Sequence, residues 1–345
     1  MDSKASVAFA LGGLGGFNAH GTGFLDAATH CEVIPDLVTA TSGQIVILAE
    51  WLLGRDLRKA IINPELEHNR LAQLAVAVGG EPGVFQPAYL QAFKRWFRFP
   101  DLEHPFRSLF DRLYPAEVYV PTRKPEAFAE FADAFNNKAK IRGQRIGVVF
   151  NAYNLRTGQA VLFGNDRARD LWEDKKAIPT AASAVATAAS HTGHHIHEPE
   201  LTLHPITPEA VEAALWLSLY GFDHLPLPHL MDGAYHRACI VSELHMFEHI
   251  FVARPLAQGW RDKPPSNWFE VQDWQTEMWF SAGYKAEVDT LNQINKLISA
   301  DHLKDPFKPI ELVEVKPNAP AGFFHFFVER DKIYDEAYKM AVHKF

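Results

Sequence analysis

Short runs of consecutive hydrophobic residues alternate along the chain with longer segments in which hydrophobic residues recur every three or four positions. The short runs predict buried β-strands and the longer segments predict helices with one apolar face. The predicted strands are Val7–Leu11, Leu37–Ala40, Arg145–Ala152, Ala160–Phe163, His249–Arg254 and Ile310–Val315. The predicted helices are Gly43–Leu53, Pro125–Asn136, Pro208–Tyr220, Trp274–Ile298 and Arg330–His343. This alternation predicts an α/β fold with a mostly parallel central sheet and helices on both faces.

One segment, residues 79–121, departs from the alternation because proline and aromatic residues are frequent in it. We expect it to form a helical cap or lid over an edge of the sheet, although an ordinary pair of core-packing helices fits the pattern equally well. We expect residues 300–345 to form a closing strand and helix. No shift in composition marks a boundary, so residues 1–345 are predicted to form a single domain.

Composition and charge narrow the classes of function. The chain has 345 residues, of which 47% are hydrophobic and 22% charged, as in ordinary globular proteins. The net charge of −8 provides no basic field for nucleic acid, so no nucleic-acid partner is expected. Two cysteines are too few for a disulfide framework, and no apolar run is long enough for a membrane span. We expect a cytoplasmic protein whose contact with a membrane, if any, is peripheral.

A glycine-rich turn, residues 12–16, follows the first predicted strand. Its glycines allow backbone N–H groups to approach a ligand closely. The spacing of a dinucleotide-binding loop and the lysine of a phosphate-binding loop are both missing. A third use for such a turn is an oxyanion hole, in which N–H groups donate to developing negative charge.

Ser42 stands between the second predicted strand and the helix that follows it. A nucleophile elbow places a serine at such a junction and projects its hydroxyl out of the sheet. Serine is also favoured as a helix N-cap, so the local sequence fits both roles. The elbow pattern has glycine two residues before and two residues after the serine, whereas this chain has Ala40 and Gln44.

Taken together, these motifs resemble the patatin-like phospholipases. The similar features are the glycine-rich turn, the Pro35-Asp36 pair, the strand that leads to Thr41-Ser42-Gly43, the segment 154–158 and the Asp232-Gly233-Ala234 turn. The resemblance spans about residues 7–341. It departs from the family at Phe17-Asn18, where the family often has arginine or lysine.

The resemblance implies a patatin-like three-layer fold and a Ser-Asp dyad in which Ser42 is the nucleophile and Asp232 the general base. It also implies an oxyanion hole built from the glycine-rich turn and the residue after the nucleophile. The implied donors are Gly13, Leu14, Gly15, Gly16 and Gly43.

A serine hydroxyl is a weak nucleophile until a base takes its proton. Apolar neighbours such as Leu230 and Met231 would raise the pKa of Asp232 and make it a stronger base. A Ser-His-Asp triad is the alternative, with His20, His236 or His245 as the base. We expect no cofactor and no metal, because the histidine-rich tract at 191–197 is more typical of a polar loop.

The resemblance implies a serine lipid acyl hydrolase that cleaves phospholipid or lysophospholipid esters through an acyl-enzyme. Two alternatives stay open: an acyltransferase on the same fold, and a binding or regulatory protein with impaired catalysis. The second is motivated by Ala40, Gln44 and Phe17. The expected partner is a lipid or other acyl-ester substrate.

Overall fold

A computed structural model describes residues 6–13, 18–61, 85–88, 103, 119–174, 202–254, 256, 260, 263–303, 307–317 and 330–345. Most of the predicted cap or lid, residues 79–121, lies outside these ranges. So do residues 14–16 of the glycine-rich turn, the following Phe17 and the histidine-rich tract.

Most of the predicted strands and helices form where the hydrophobic pattern places them. The strands are β1 (Val7–Leu11), β2 (Leu37–Ala40), β3 (Phe85–Pro87), β4 (Tyr119–Pro121), β5 (Lys140–Ile141), β6 (Gln144–Arg145), β7 (Gly147–Asn154), β8 (Gln159–Gly164), β9 (Leu203–Pro205), β10 (Leu230–Asp232), β11 (His249–Ala253) and β12 (Glu311–Val315). The helices are α1 (Asn18–His30), α2 (Gln44–Leu52), α3 (Leu57–Ile61), α4 (Pro125–Asn137), α5 (Asp166–Asp174), α6 (Pro208–Ala214), α7 (Trp268–Ser299) and α8 (Arg330–Lys344).

The central sheet has eight strands in the order β12-β11-β1-β2-β7-β8-β9, with β10 pairing to β7 outside this path. Neighbouring strands from β12 to β7 are parallel, as are β8 and β9, whereas β8 and β10 run antiparallel to β7. The predicted α/β class with a mostly parallel sheet is therefore confirmed.

Two hydrophobic cores, one on each face, hold the sheet between helices. Along β1 the side chains alternate: Phe9 and Leu11 join the core formed with α1, α2, α4, α6 and α8, while Ala8 and Ala10 join the core formed with α5 and α7. Successive side chains of a strand point to opposite faces, so both faces of β1 are covered. This confirms the expectation of helices on both faces.

The helix predicted over Pro208–Tyr220 is shorter than expected. It begins at Pro208 with Thr207 as its cap and ends at Ala214, and a short 3₁₀ turn follows at Ser218–Tyr220. The intervening Trp216 accepts a hydrogen bond through its carbonyl from the N–H of Asp232, at 3.1 Å. The carbonyl of Trp216 thus bonds to the end of β10, and the further helical turn that the hydrophobic periodicity predicts does not form there.

Within the described residues, no helix combines the length and the hydrophobicity that crossing a bilayer requires.

Candidate active site

Strands β2 and β10 meet end to end along one edge of β7. Strand β2 runs parallel to β7 and its last residue, Ala40, lies opposite Phe150. Strand β10 runs antiparallel to β7 and its last residue, Asp232, lies opposite Ala152. Because β8 occupies the other edge of β7 at Ala152, β10 must lie on the edge that β2 uses. The carboxyl ends of both strands therefore converge on the position of Asn151.

This convergence brings the two predicted catalytic side chains into contact. The Ser42 hydroxyl donates a hydrogen bond to Asp232 Oδ2 at 2.5 Å, although 190 residues separate them in the sequence. The other carboxylate oxygen, Oδ1, accepts a hydrogen bond from the N–H of Ala234 at 2.8 Å. Ser42 is 3% exposed and Asp232 is 1% exposed. The serine hydroxyl is therefore already hydrogen-bonded to a possible proton acceptor.

The backbone of Ser42 has the conformation of an elbow and not that of a helix cap. Its φ is +55°, in the left-handed region that residues with a side chain rarely adopt. An N-cap residue has an extended backbone, and here the N-cap of α2 is Gly43, with no side-chain capping bond. The strained conformation turns the Ser42 hydroxyl toward Asp232, which resolves the choice between the two local roles.

The carboxyl group of Asp232 binds a proton more tightly than the carboxyl group of an exposed aspartate does. Burial raises the pKa of Asp232 to about 7, against the opposing effect of the hydrogen bonds from Ser42 and Ala234. An aspartate with a pKa near neutrality is a much better proton acceptor than an exposed one.

The histidines considered as alternative bases form other contacts. His20 is buried beneath the sheet with its Nε2 against the Val315 carbonyl at 2.9 Å, and burial lowers its pKa to about 4. His236 stacks on Tyr153, and His245 Nδ1 lies 2.9 Å from the Ser242 carbonyl. The hydrogen bonds of the Asp232 carboxylate come from Ser42 and Ala234 in the described part of the chain. This arrangement favours a dyad over a triad.

Asn151 connects the two halves of the dyad, and the sequence analysis did not single it out. Its Oδ1 accepts a hydrogen bond from the Thr41 hydroxyl at 2.9 Å. Its Nδ2 donates to the carbonyls of Gly233 and Arg237, at 3.3 and 3.0 Å. The side chain thus ties the residue before Ser42 to the turn after Asp232. The signal in the sequence that could have identified Asn151 is a polar residue inside the hydrophobic run of β7. The structure shows that this residue is fully buried, and buried polar groups form hydrogen bonds.

Gly13 is placed beside the elbow but does not have the predicted role of a hydrogen-bond donor to an oxyanion. Its N–H donates to the Ala238 carbonyl at 2.8 Å, so that donor is already used. A Cβ atom on Gly13 would lie 1.7 Å from the Thr41 carbonyl oxygen and 3.0 Å from Ser42 Cβ. Gly13 is therefore needed for the close approach of β1 and the elbow.

Of the other four predicted hydrogen-bond donors to an oxyanion, one is a described residue and three lie outside the described ranges. Gly43 lines the pocket beside Ser42, and no acceptor is recorded for its N–H among the described residues. In serine hydrolases with an elbow, the N–H of the residue after the nucleophile is one oxyanion donor. Leu14, Gly15 and Gly16 lie outside the described residues, and their role stays a prediction.

We predict that Gly13→Ala destabilises the protein by about 1–3 kcal/mol, because backbone atoms of the elbow must move to admit the methyl group. Thermal unfolding of the purified variant measures this effect. Gly283→Ala is the matched control, since Gly283 lies in the exposed middle of α7 with room for a Cβ atom. The control is expected to be neutral or stabilising by up to about 1 kcal/mol. Equal melting temperatures for Gly13→Ala and wild type would contradict the close-approach role.

Gln44, the departure from the elbow pattern, is accommodated by a glycine elsewhere. Gly21 of α1 faces it, and a Cβ atom there would lie 1.8 Å from Gln44 Oε1. The side chain of Gln44 is buried against this helix and is not among the described residues that line the pocket. The elbow pattern has glycine at the position of Gln44, and here Gly21 of the facing helix α1 provides the space that the larger side chain needs.

A small pocket, with a cavity volume of about 50 Å³, opens onto Ser42 and Asp232. Apolar side chains form much of its wall: Val46, Pro121, Phe128, Leu215 and Leu217. Polar groups are contributed by Asn18, Arg123 and Tyr220. A mostly apolar pocket with a few polar groups beside a buried serine suits a substrate with an apolar portion.

Comparison with known proteins yields little similarity. No family model matches the sequence, and no curated protein matches it. Among solved structures, this chain is similar to the crystal structure of VipD from Legionella pneumophila, with a TM-score of 0.35 and 9% sequence identity. The similarity covers 98% of this chain and 66% of the VipD chain.

Proposed function

We propose that this protein is a serine acyl hydrolase of the patatin-like type, which cleaves fatty-acyl esters of a phospholipid or lysophospholipid through an acyl-enzyme. The observation that carries the proposal is the 2.5 Å hydrogen bond from the Ser42 hydroxyl to Asp232. The positive φ of Ser42 supports it, because backbone strain at a buried serine is typical of a nucleophile elbow.

In the proposed acylation step, Asp232 Oδ2 takes the proton of the Ser42 hydroxyl as Oγ attacks the ester carbonyl. The carbonyl oxygen becomes an oxyanion, which the N–H of Gly43 stabilises by donating a hydrogen bond. When the tetrahedral intermediate collapses, the bond to the leaving oxygen breaks and the proton on Asp232 passes to that oxygen. An alcohol leaves, and the acyl group stays on Ser42.

The acyl-enzyme is then hydrolysed by the reverse sequence. Asp232 takes a proton from water as the water oxygen attacks the acyl carbonyl, and the proton returns to Ser42 Oγ when the new intermediate collapses. The products are a fatty acid and free enzyme. Because burial raises the pKa of Asp232 to about 7, its carboxyl group exchanges protons readily at neutral pH.

The burial of Gln44 against Gly21 weakens the case for a protein without catalytic activity. That alternative is motivated by a bulky residue at the elbow that would crowd the helix against the strand or occupy the entrance. The pocket wall beside Ser42 is instead formed by Gly43, Val46 and other residues.

A fluorophosphonate probe tests the proposal, because it reacts with a serine only when a base activates the hydroxyl. We expect covalent labelling of the folded protein, with the modified peptide mapping to Ser42. An unlabelled but folded protein would refute the proposed function. Product analysis with and without a competing alcohol then separates hydrolysis from acyl transfer, since a transferase would form a new ester.

A further inference from the structure

Arg123 lies in the same pocket as the Ser-Asp pair, although nothing in the sequence marked it. It follows β4 and precedes α4, and it lines the pocket together with Ser42 and Asp232. A guanidinium group provides five N–H donors in a planar arrangement that matches the oxygens of a phosphate or a carboxylate.

Within the described ranges of the chain, no residue accepts a hydrogen bond from this guanidinium. Among the residues that the structure describes, the side chain of Arg123 forms no hydrogen bond and no ion pair. In the described part of the chain its guanidinium forms a cation–π contact with Phe131, whose ring centre lies 5.7 Å from the guanidinium carbon. Two groups act on it electrostatically, the phenol of Tyr220 and the carboxylate of Glu50.

Glu50 is already engaged elsewhere. Its two carboxylate oxygens accept hydrogen bonds from Arg55 at 3.1 and 2.9 Å. Arg55 also contacts Glu130, so Arg55 is the direct ionic partner in this cluster. Glu50 therefore moderates the charge of Arg123 but does not occupy its N–H groups.

Leaving a cation partly buried without a direct partner costs free energy. Burial lowers the pKa of Arg123 below its usual range, with the electrostatic effects of Tyr220 and Glu50 opposing the shift. Arginine nevertheless stays protonated at neutral pH. Arg123 is partly buried, has no direct ionic partner among the described residues and faces the pocket that holds Ser42, and these are the properties of a subsite that receives an anion from outside.

We propose that Arg123 binds an anionic oxygen group of the substrate, a phosphate or a carboxylate, and makes the enzyme prefer esters that carry such a group over neutral esters. This inference rests on the proposed function. It assigns a specificity role to Arg123 and no part in the proton transfers of Ser42 and Asp232. The two sources of the anion differ in position: a phosphate on the alcohol that leaves, or a carboxylate at the far end of the acyl chain.

Three esters of equal chain length separate these sources. They are monododecanoylglycerol, which is neutral, its 3-phosphate, and the glyceryl monoester of dodecanedioic acid, which has a terminal carboxylate. We expect kcat/KM of the wild-type protein to be higher for at least one anionic ester than for the neutral one. The ester that is preferred identifies the end of the substrate that Arg123 contacts.

Arg123→Gln is expected to lower the ratio of anionic to neutral kcat/KM by roughly 10- to 100-fold, as for the loss of a hydrogen bond to a charged group. Arg123→Lys should retain part of the preference. Arg142→Gln is the matched control, because Arg142 is an exposed arginine that pairs with Glu32 and is not among the residues that line the pocket. The control should leave the ratio unchanged.

A second measurement does not depend on hydrolysis. Binding of dodecyl phosphate and of dodecanoate is measured by calorimetry in Ser42→Ala, with and without Arg123→Gln. Loss of binding with Arg123→Gln supports the anion subsite even if no ester is hydrolysed, in which case the proposed function alone fails. Two results would overturn the subsite. One is a ratio of anionic to neutral kcat/KM that Arg123→Gln leaves unchanged, as when kcat/KM falls equally on all three esters. The other is binding of dodecyl phosphate and dodecanoate that does not depend on Arg123.

Discussion

Replacing Ser42 by alanine is expected to reduce ester hydrolysis by about 10⁴-fold or more, because the proposed acyl-enzyme forms on this oxygen alone. The substitution removes the hydroxyl that donates to Asp232 and leaves a smaller side chain at a site with φ of +55°. Hydrolysis of a fatty-acyl ester by the purified variant, at pH 8 and saturating substrate, measures the effect on kcat. Fluorophosphonate labelling should disappear in the same variant.

Ser299→Ala is the control for this substitution. Ser299 is exposed at the end of α7, where its hydroxyl donates to the Asn295 carbonyl at 2.8 Å. This control should keep full activity and labelling. A Ser42→Ala protein that folds normally and still hydrolyses the ester at an appreciable fraction of the wild-type rate would exclude Ser42 as the nucleophile.

Asp232→Asn is expected to lower kcat by about 10²–10⁴-fold, since an amide cannot accept the serine proton. For the wild-type protein, activity should rise with pH through about 7, because only the carboxylate form of Asp232 can act as a base. Rate measurements between pH 5 and 9 test this. Wild-type activity that is constant across this range would contradict Asp232 as the base.

The same side chain should impose a pH dependence on stability. The folded protein holds a proton on Asp232 up to about pH 7, whereas the unfolded chain releases it near the ordinary aspartate pKa of about 3.9. Between these values the folded state binds more protons than the unfolded state, so its contribution to stability falls as pH rises. Below about pH 4 the contribution is fully present, and above about pH 7 it is lost.

Asparagine at this position has no proton to release. We therefore expect the stability of Asp232→Asn relative to wild type to increase from pH 5 to pH 8, by roughly 2 kcal/mol or more, since one pKa unit corresponds to about 1.4 kcal/mol. Thermal unfolding at several pH values checks the trend. Asp289→Asn, on the exposed surface of α7, is the control and should show no such trend. A stability difference that stays constant with pH would indicate an ordinary, unshifted aspartate.

Much of the fold could be read from hydrophobic spacing. The runs at β1, β2, β7 and β11 are mostly apolar because strands buried on both faces of a sheet need apolar side chains on both sides. The junction after β2 identified Ser42 as a candidate, and the resemblance to patatin-like phospholipases at the Asp232-Gly233-Ala234 turn identified Asp232. These features are local, so the sequence carries them directly.

Other features depend on residues that are distant along the chain. The helix after Pro208 ends early because Trp216 bonds to Asp232, and Gln44 fits at the elbow because Gly21 faces it. Gly13 serves as a place of close approach because the Thr41 carbonyl lies beside it. None of these partners can be inferred from the spacing within one segment.

The sequence by itself determined an α/β chain with an elbow-like serine after one strand and an Asp-Gly-Ala turn far along the chain. Only the tertiary structure decided that these two segments face each other, because the pairing of β10 beside β2 on β7 is set by the packing of strands far apart in the sequence. That packing also buries Asp232, which raises its pKa, and directs Arg123 into the pocket. Burial and pairing are properties of the assembled sheet, and for that reason no local pattern of residues encodes them.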